Sequence, residues 1–259
     1  INSPRLNANF DRSYLNAKLQ DSLLRVEGFA LEGEQLNLSL YGQVPLTSKQ
    51  LSDIHGKMTA DLTPLTSSLI PANHRIGGTI HSQFEITGTL SSPDIKTYIN
   101  SSSLFYRDIN IDTFHMQAHL NRNDTLRVNS YLHNRFASVS LNISAILETV
   151  FSNPQLREYN LEAHCEKIDM GLIADYFNLK NPRIAGMAAA CFKGSGNNLN
   201  ELPKDAFLSV TARENGPLNI DTLWTLASIK NNNWSLQSLI GNGNRFYGQG
   251  KVRLFDVME

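Results

Sequence analysis

The sequence predicts a mostly β protein: an elongated repeat of long antiparallel strands curled into an open apolar groove, with one or two short helices per repeat. Three observations lead there. Asp61, Leu65, Leu69, Arg75, Ile76, Gly78, Phe84 and Gly88 recur 108 residues later as Asp169, Ile173, Phe177, Arg183, Ile184, Gly186, Phe192 and Gly196. Asn110-Ile111-Asp112-Thr113 returns as Asn219-Ile220-Asp221-Thr222, and Arg135-Phe136 as Arg245-Phe246, so the offset drifts only to 109 and 110. Apolar and polar residues alternate with period 2 over most of the chain, which is the pattern of a sheet with one apolar and one polar face. A repeat of this length points to side-by-side architecture, with function spread along a surface.

The alternation is clearest over 76–90. Ile76, Gly78, Ile80, Ser82, Phe84, Ile86, Gly88 and Leu90 fall on one side, and Gly77, Thr79, His81, Gln83, Glu85, Thr87 and Thr89 on the other. It continues in Phe114, Met116, Ala118 and Leu120 against His115, Gln117, His119 and Asn121, and in Leu126, Val128 and Leu132 against Arg127, Asn129 and His133. Leu36, Leu38 and Leu40 alternate in the same way, so residues 1–53 read as the tail of a preceding repeat. Turn signals at Ser91-Ser92-Pro93-Asp94, Asn121-Arg122-Asn123-Asp124, Asn231-Asn232-Asn233 and Gly241-Asn242-Gly243-Asn244 separate the strands. A β-groove repeat is expected over 54–146, a connector with a further short helix over 147–159, and a second β-groove repeat over 160–259.

Besides the connector over 147–159, two segments break the strand pattern. Thr63-Pro64 before Leu65, Leu69 and Ile70 predicts a short helix with Thr63 as N-cap, Pro64 at the first helical position and Pro71 as its stop. Its counterpart over 170–178 places Met170, Ile173 and Phe177 on one helical face.

Composition narrows the function. The chain is 41% hydrophobic and 18% charged, with a formal net charge of −1 and no Lys/Arg block, so no nucleic-acid partner is expected. No apolar run approaches a membrane span, and Ile1-Asn2-Ser3-Pro4-Arg5 is not a signal peptide. The chain begins without Met inside strand pattern, as expected of a piece of a longer protein whose anchor and targeting sequence lie elsewhere.

Candidate chemical motifs reduce to structural readings. His115 and His119 have helical metal-pair spacing, but four residues along a strand span about 13 Å, too far for one ion. His55, His74, His81, His133 and His164 show no partnering Cys or carboxylate at ligand spacing, so neither a metal site nor a cofactor is expected. Gly194-Ser195-Gly196 lacks the following helix of a nucleophile elbow and reads as a bend or bulge. Asn37, Asn100, Asn123, Asn142 and Asn233 open Asn-x-Ser/Thr sequons, which an Asn- and Ser-rich chain generates by composition. Carboxylates are scattered without an acid/base pair, and the protein is not expected to be an enzyme. Cys165 and Cys191 read as small buried residues, with a disulfide left open because their strands can be neighbours. The apolar stripe itself is either the inner face of a closed sandwich or an open groove. The repeat, the length of the stripe and the lack of a second strand set with complementary order favour the groove.

Leu62-Thr63-Pro64-Leu65, Ile76-Gly77-Gly78-Thr79-Ile80 and Ile86-Thr87-Gly88-Thr89-Leu90-Ser91-Ser92-Pro93 resemble the repeat of bacterial TamB-type proteins in the AsmA-like superfamily. The Gly-Thr-Leu-x-x-Pro element is the most characteristic part. The second copy, Lys193-Gly194-Ser195-Gly196-Asn197-Asn198-Leu199, lacks the proline and is closer to AsmA-type C-terminal regions. The resemblance covers residues from about 20 onward. It implies a periplasmic protein anchored in the inner membrane, whose apolar β-groove conducts phospholipid or another acyl-chain lipid toward the outer membrane. It also implies, as the alternative, a scaffold that assists outer-membrane barrel proteins by strand pairing. The expected groove lining is Ile80, Phe84, Ile86, Phe114, Met116, Leu120, Leu126, Val128 and Leu132, with Leu223, Ile229, Leu236 and Ile240 in the second copy.

Overall fold

A computed structural model describes residues 2–3, 8–47, 51–67, 75–89, 92–107, 109–148, 155–176, 186–197, 205–214, 223–230, 233–240 and 244–251. The protein is mostly β and antiparallel, with two short helices among the described residues. Contacts divide it into residues 1–134 and 135–259.

In the first unit the strands are β1 (Asn2–Ser3), β2 (Ala8–Asn9), β3 (Arg12–Gln20), β4 (Leu23–Glu32), β5 (Leu36–Pro45), β6 (Ser52–Asp61), β7 (Ile76–Gly77), β8 (Thr79–Thr89), β9 (Ser92–Ser101), β10 (Leu104–Tyr106), β11 (Ile109–Ile111), β12 (Thr113–Leu120) and β13 (Thr125–His133). Helix α1 (Leu62–Ser67) follows β6. The main sheet runs β13-β12-β9-β8-β6-β5-β4-β3 without closing on itself, β11-β10-β7 form a small separate sheet, and β1 pairs with β2. In the second unit, β14 (Ser138–Glu148), β15 (Gln155–Asp169), β16 (Gly186–Gly196), β17 (Asp205–Glu214), β18 (Leu223–Lys230), β19 (Asn233–Ile240) and β20 (Asn244–Lys251) pair in chain order, with α2 (Met170–Tyr176) between β15 and β16.

Turn chemistry explains why the meander folds back where it does. Asp21 and Ser22 both have positive φ, at 49° and 61°, which is the twist of a two-residue hairpin between β3 and β4. At the β12/β13 turn, Asn121 Oδ1 accepts the backbone N–H groups of Asn123 and Thr125, both at 3.0 Å. That is an Asx turn, and Asp124 completes it at φ 57°.

Several expected boundaries shift for physical reasons. The single strand expected over 76–90 breaks at Gly78, whose φ of 103° turns the chain so that β7 pairs with β10 while β8 pairs with β6 and β9. The cap of α1 is Asp61 rather than Thr63: Asp61 Oδ1 accepts the Thr63 N–H at 2.9 Å. Thr63 lies inside the helix, and its Oγ1 accepts the Gly78 N–H at 3.2 Å. Asp169 caps α2 in the same manner, accepting the Leu172 N–H at 2.9 Å. Of the connector expected over 147–159, Leu147 and Glu148 end β14 and 155–159 open β15, with Leu147 opposite Leu156. Asn153-Pro154, Leu90, Pro71 and the glycines at 241 and 243 lie outside the described residues. Gly194-Ser195-Gly196 is regular strand in β16 rather than a bend.

Packing is thin. Among the described residues the buried apolar side chains are few: Ala60, Leu104, Phe136, Ala145, Tyr159 and Ala174, besides Pro45, which is completely enclosed. Each unit's main contacts follow its strand ladders, with α1 against β7 and α2 against β16. Within each unit the main sheet therefore behaves as one layer.

A recurring device stiffens the ladders of both the main and the small sheet. Phe84 stands opposite Gly56, Phe105 opposite Gly77, and Tyr159 opposite Gly196. In each pair the ring occupies the space a Cβ on the glycine would need. An aromatic lying over a cross-strand glycine restores the side-chain cover that glycine lacks. At Gly56 a Cβ would overlap the Phe84 ring and come within 2.7 Å of Leu40 Cδ2.

Gly78→Ala is expected to destabilise the protein by about 2 kcal/mol or more, because a Cβ at φ 103° would overlap the Ser103 carbonyl oxygen. Asp61→Ala should cost about 1 kcal/mol through loss of the α1 cap. Urea denaturation of both variants beside the parent checks the order.

Candidate functional site

Directly opposed residues in an antiparallel pair share a face, as do residues two apart on one strand, so the registers assign every side chain to a side. In the first unit one row runs Leu15, Phe29, Leu40, Gly56, Phe84, Thr97, Ala118, Val128 across eight strands. The next row on the same face begins at the β3/β4 bulge and runs Ala17, Val26, Gly42, Ile54, Ile86, Ile95, Leu120, Leu126. Leu38, Met58, Ile99 and Met116 belong to the row on the other side, and Ala60 with Ile80, then Phe114 with Leu132, lie beyond it. All nine lining residues expected in this unit thus occupy one face, and each is half-buried.

In the second unit the corresponding face carries Leu141, Ala163, Phe192, Leu208, Ala227 and Leu236 in one row. A neighbouring row holds Ile143, Leu161, Gly194, Ala206 and Ile229. Leu223 pairs with Ala212 and Ile240, so the four expected residues share this face. Leu223, Ile229 and Leu236 are half-buried, and the Ile240 side chain lies outside the described residues. The expectation missed Phe29, Leu31, Leu38, Leu40, Ile54 and Met58. Their alternation is the same, but Phe29, Leu31, Leu38 and Leu40 fall in the stretch read as the tail of another repeat, and Ile54 and Met58 sit at the start of the next repeat, before its clearest alternation over 76–90.

The opposite face is polar and self-satisfied. Tyr41 stacks on His55 with centroids 5.2 Å apart, and His55 Nε2 lies 2.9 Å from Asp53 Oδ1. His81 lies 3.1 Å from Thr59 Oγ1, and Lys18 pairs with Glu27 at 2.6 Å. The hydrogen bond from Lys18 holds the Glu27 carboxyl below its ordinary pKa. His119 pairs with Asp94 at 3.1 Å, whereas His115 lines a shallow depression with Tyr98, Gln117, Asn129 and Tyr131. The two histidines with helical metal spacing therefore sit in separate environments on β12.

The two cysteines stand on neighbouring strands but on opposite faces. Cys165 of β15 is opposite Ala190, and Cys191 of β16 is opposite His164. Both are free thiols and half-buried rather than enclosed, so the disulfide left open by the sequence does not form. Burial among the apolar row pushes the Cys165 thiol pKa up.

On the polar face of the second unit the structure assembles a cluster that sequence spacing did not show. Glu162 and His164 are two apart on β15, and the register sets Lys193 opposite Glu162 and Cys191 opposite His164. Glu162 Oε1 accepts from Lys193 Nζ at 2.5 Å and lies 2.8 Å from His164 Nε2. These two hydrogen bonds, that of Lys193 first, lower the Glu162 pKa, and Glu162 raises that of Lys193. Ligand atoms of Glu162, His164 and Cys191 lie within 4.8 Å of one another. The expectation that His164 lacks a Cys or carboxylate partner is thereby corrected. The partner across the sheet is 27 residues away, and only the β15/β16 register reveals it. The visible part of the signal was Glu-x-His within a strand.

No protein family, curated protein or solved structure matches the chain. Among the described residues no helix is long and apolar enough to cross a membrane.

The lowered Glu162 pKa supplies stability that is present above the unfolded-state value and lost as pH falls through the folded one. By NMR titration Glu162 should titrate below the ordinary glutamate value of 4.5, and Lys193→Met should move it up. Alkylation without reductant, followed by mass spectrometry, should find both cysteines modified once the chain is unfolded; a bonded pair would contradict the opposite-face placement.

Proposed function

We propose that the apolar sheet face shields the acyl chains of phospholipid from water and conducts them between the inner and outer membranes. The carrying observation is that face itself: rows of Leu, Ile, Phe, Met and Val span eight strands of the first unit, and their side chains stay half-exposed. An apolar surface of this extent, unbroken by charge within its rows, has the chemistry of a hydrocarbon and not of a polar ligand. Recognition would need no specific polar contact. At about 0.8 kcal/mol per buried methylene, a chain of about sixteen carbons gains up to about 13 kcal/mol before ordering costs. A face of this kind works as the wall of a groove, and repetition of the unit extends it. In this reading the full-length protein is periplasmic and anchored in the inner membrane, as for the TamB-type repeats that the sequence resembles.

A second reading rests on β3. It ends the strand order of the first unit, its pairing among the described residues is to β4 alone, and Leu15 and Leu19 are each 65% exposed. Such a strand can accept a further strand, for example from an outer-membrane barrel protein, and this chain would then serve as a scaffold for assembly.

Phe84→Glu and Leu126→Arg are each expected to reduce co-purifying lipid about tenfold or more, since a charge in apolar contact costs more than the roughly 1.4 kcal/mol that this factor represents. Gln117→Glu, on the polar face, should leave lipid content unchanged. Mass spectrometry of organic extracts reads the result. Equal lipid in all three variants would sink the conduit, and photocrosslinks from Phe84 that reach protein but no lipid would favour the scaffold.

A further inference from the structure

We infer that Glu162, His164 and Cys191 form a binding site for a single divalent metal ion of zinc type on the polar face of the second unit. The site lies on the side of the sheet opposite the apolar rows and is independent of the lipid reading.

The placement follows from strand geometry. Two residues at i and i+2 on β15 and one directly opposed on β16 form a triangle of side chains on one face. Both strands are internal, β15 between β14 and β16, and β16 between β15 and β17, so the platform is held by ladders on both sides. The three ligand atoms already lie within 4.8 Å of one another. Zinc–ligand bonds of about 2.0–2.3 Å in tetrahedral geometry put ligand atoms about 3.3–3.6 Å apart. Glu162 Oε1 and His164 Nε2, hydrogen-bonded at 2.8 Å without metal, would open by roughly 0.5 Å and the longest edge would close by roughly 1 Å, displacements on the scale of side-chain torsions.

The donor set selects the ion. One thiolate sulfur, one imidazole nitrogen and one carboxylate oxygen suit zinc, whereas magnesium and calcium take oxygen ligands. Charge also balances, because a dication with one thiolate, one carboxylate and a neutral imidazole sums to zero. Three protein ligands leave a fourth position open to water.

Lys193 shows what the pocket does without metal. Its ammonium is held 2.5 Å from the Glu162 carboxylate, so the position already accommodates a cation. A bound metal ion takes over the carboxylate and releases the lysine, which makes Lys193 a competitor of the metal. A purely structural ion-pair network has no such competition with metal.

The 259-residue chain, purified and stripped with chelator, is titrated with cobalt(II) as a spectroscopic stand-in and then with zinc against a chromophoric chelator. The expected result is a sulfur-to-cobalt charge-transfer band saturating at one ion per chain and displaced by zinc. Cys191→Ser should abolish the band, and His164→Ala and Glu162→Gln should each weaken zinc binding about tenfold or more. Cys165→Ser, on the opposite face, should change nothing, and Lys193→Met should bind zinc more tightly than the parent. Circular dichroism confirms that each variant keeps its strands. Absence of the band in the parent would overturn the inference. So would a band that survives Cys191→Ser, one lost in Cys165→Ser, or zinc affinity that falls in Lys193→Met.

Discussion

In a sheet one layer thick, hydrogen bonds between neighbouring strands must do what a packed core does in a compact domain. Few side chains here are fully enclosed, so cohesion comes from long antiparallel ladders and from the cross-strand pairs they align. Each strand satisfies its backbone groups on its neighbours, and each register fixes which side chains meet. A slip of one residue would move Phe84 and Ile86 to the polar side and bring Gln83 and Glu85 into the apolar rows. The division between faces, and any activity that depends on it, rests on register.

Register is protected where the sheet is most exposed to error. Phe84 over Gly56 and Tyr159 over Gly196 fit only when these residues are directly opposed, so each pair acts as a pin. Bulges do related work. Between Cys165 and Ile168 the β15/β16 pairing shifts, and Lys167 adopts φ 54° there, which resets the two strands before α2. At the strand-to-helix corners, Asp61 and Asp169 stop the ladders by capping the helices that follow. Phe136 meets Tyr176 of α2 edge-to-face with centroids 5.6 Å apart, and the Arg135 guanidinium lies over the Phe136 ring at 4.6 Å. These contacts give the second unit one of its few enclosed spots.

The two faces support different chemistry because they solve different problems. The apolar rows of the first unit carry no charge, and most of their residues are Leu, Ile, Phe, Met or Val, with Ala17, Gly42, Gly56 and Ala118 interspersed. One row of the polar face runs Tyr41, His55, Glu85, Lys96, His119 and Arg127, and in it the acid Glu85 stands directly opposite the base Lys96. Neighbouring opposite charges on a wet face stabilise each other weakly and keep that face hydrated. In the second unit the face that carries Glu162 and Lys193 is more mixed, and the row of Cys191 runs through His164, Ser209 and Leu226.

Much of this was legible in the residues. Period-2 alternation identified strands and both faces, because side chains of successive strand residues point to opposite sides whatever the partner, and Asn121 announced its turn through a side chain that bonds its own backbone. Local rules also had limits: Gly78 looked like one more apolar-side residue until its positive φ split the strand, and Thr63-Pro64 hid Asp61 as the cap. The sequence by itself determined that this chain forms long strands with one oily and one wet side. Only the tertiary structure decided which strands adjoin and in what register. That is why Cys165 and Cys191 are separated by the sheet, while Glu162, His164 and Cys191 come together. Pairing between strands joins residues far apart in the chain, and no local pattern encodes which residue will stand opposite which.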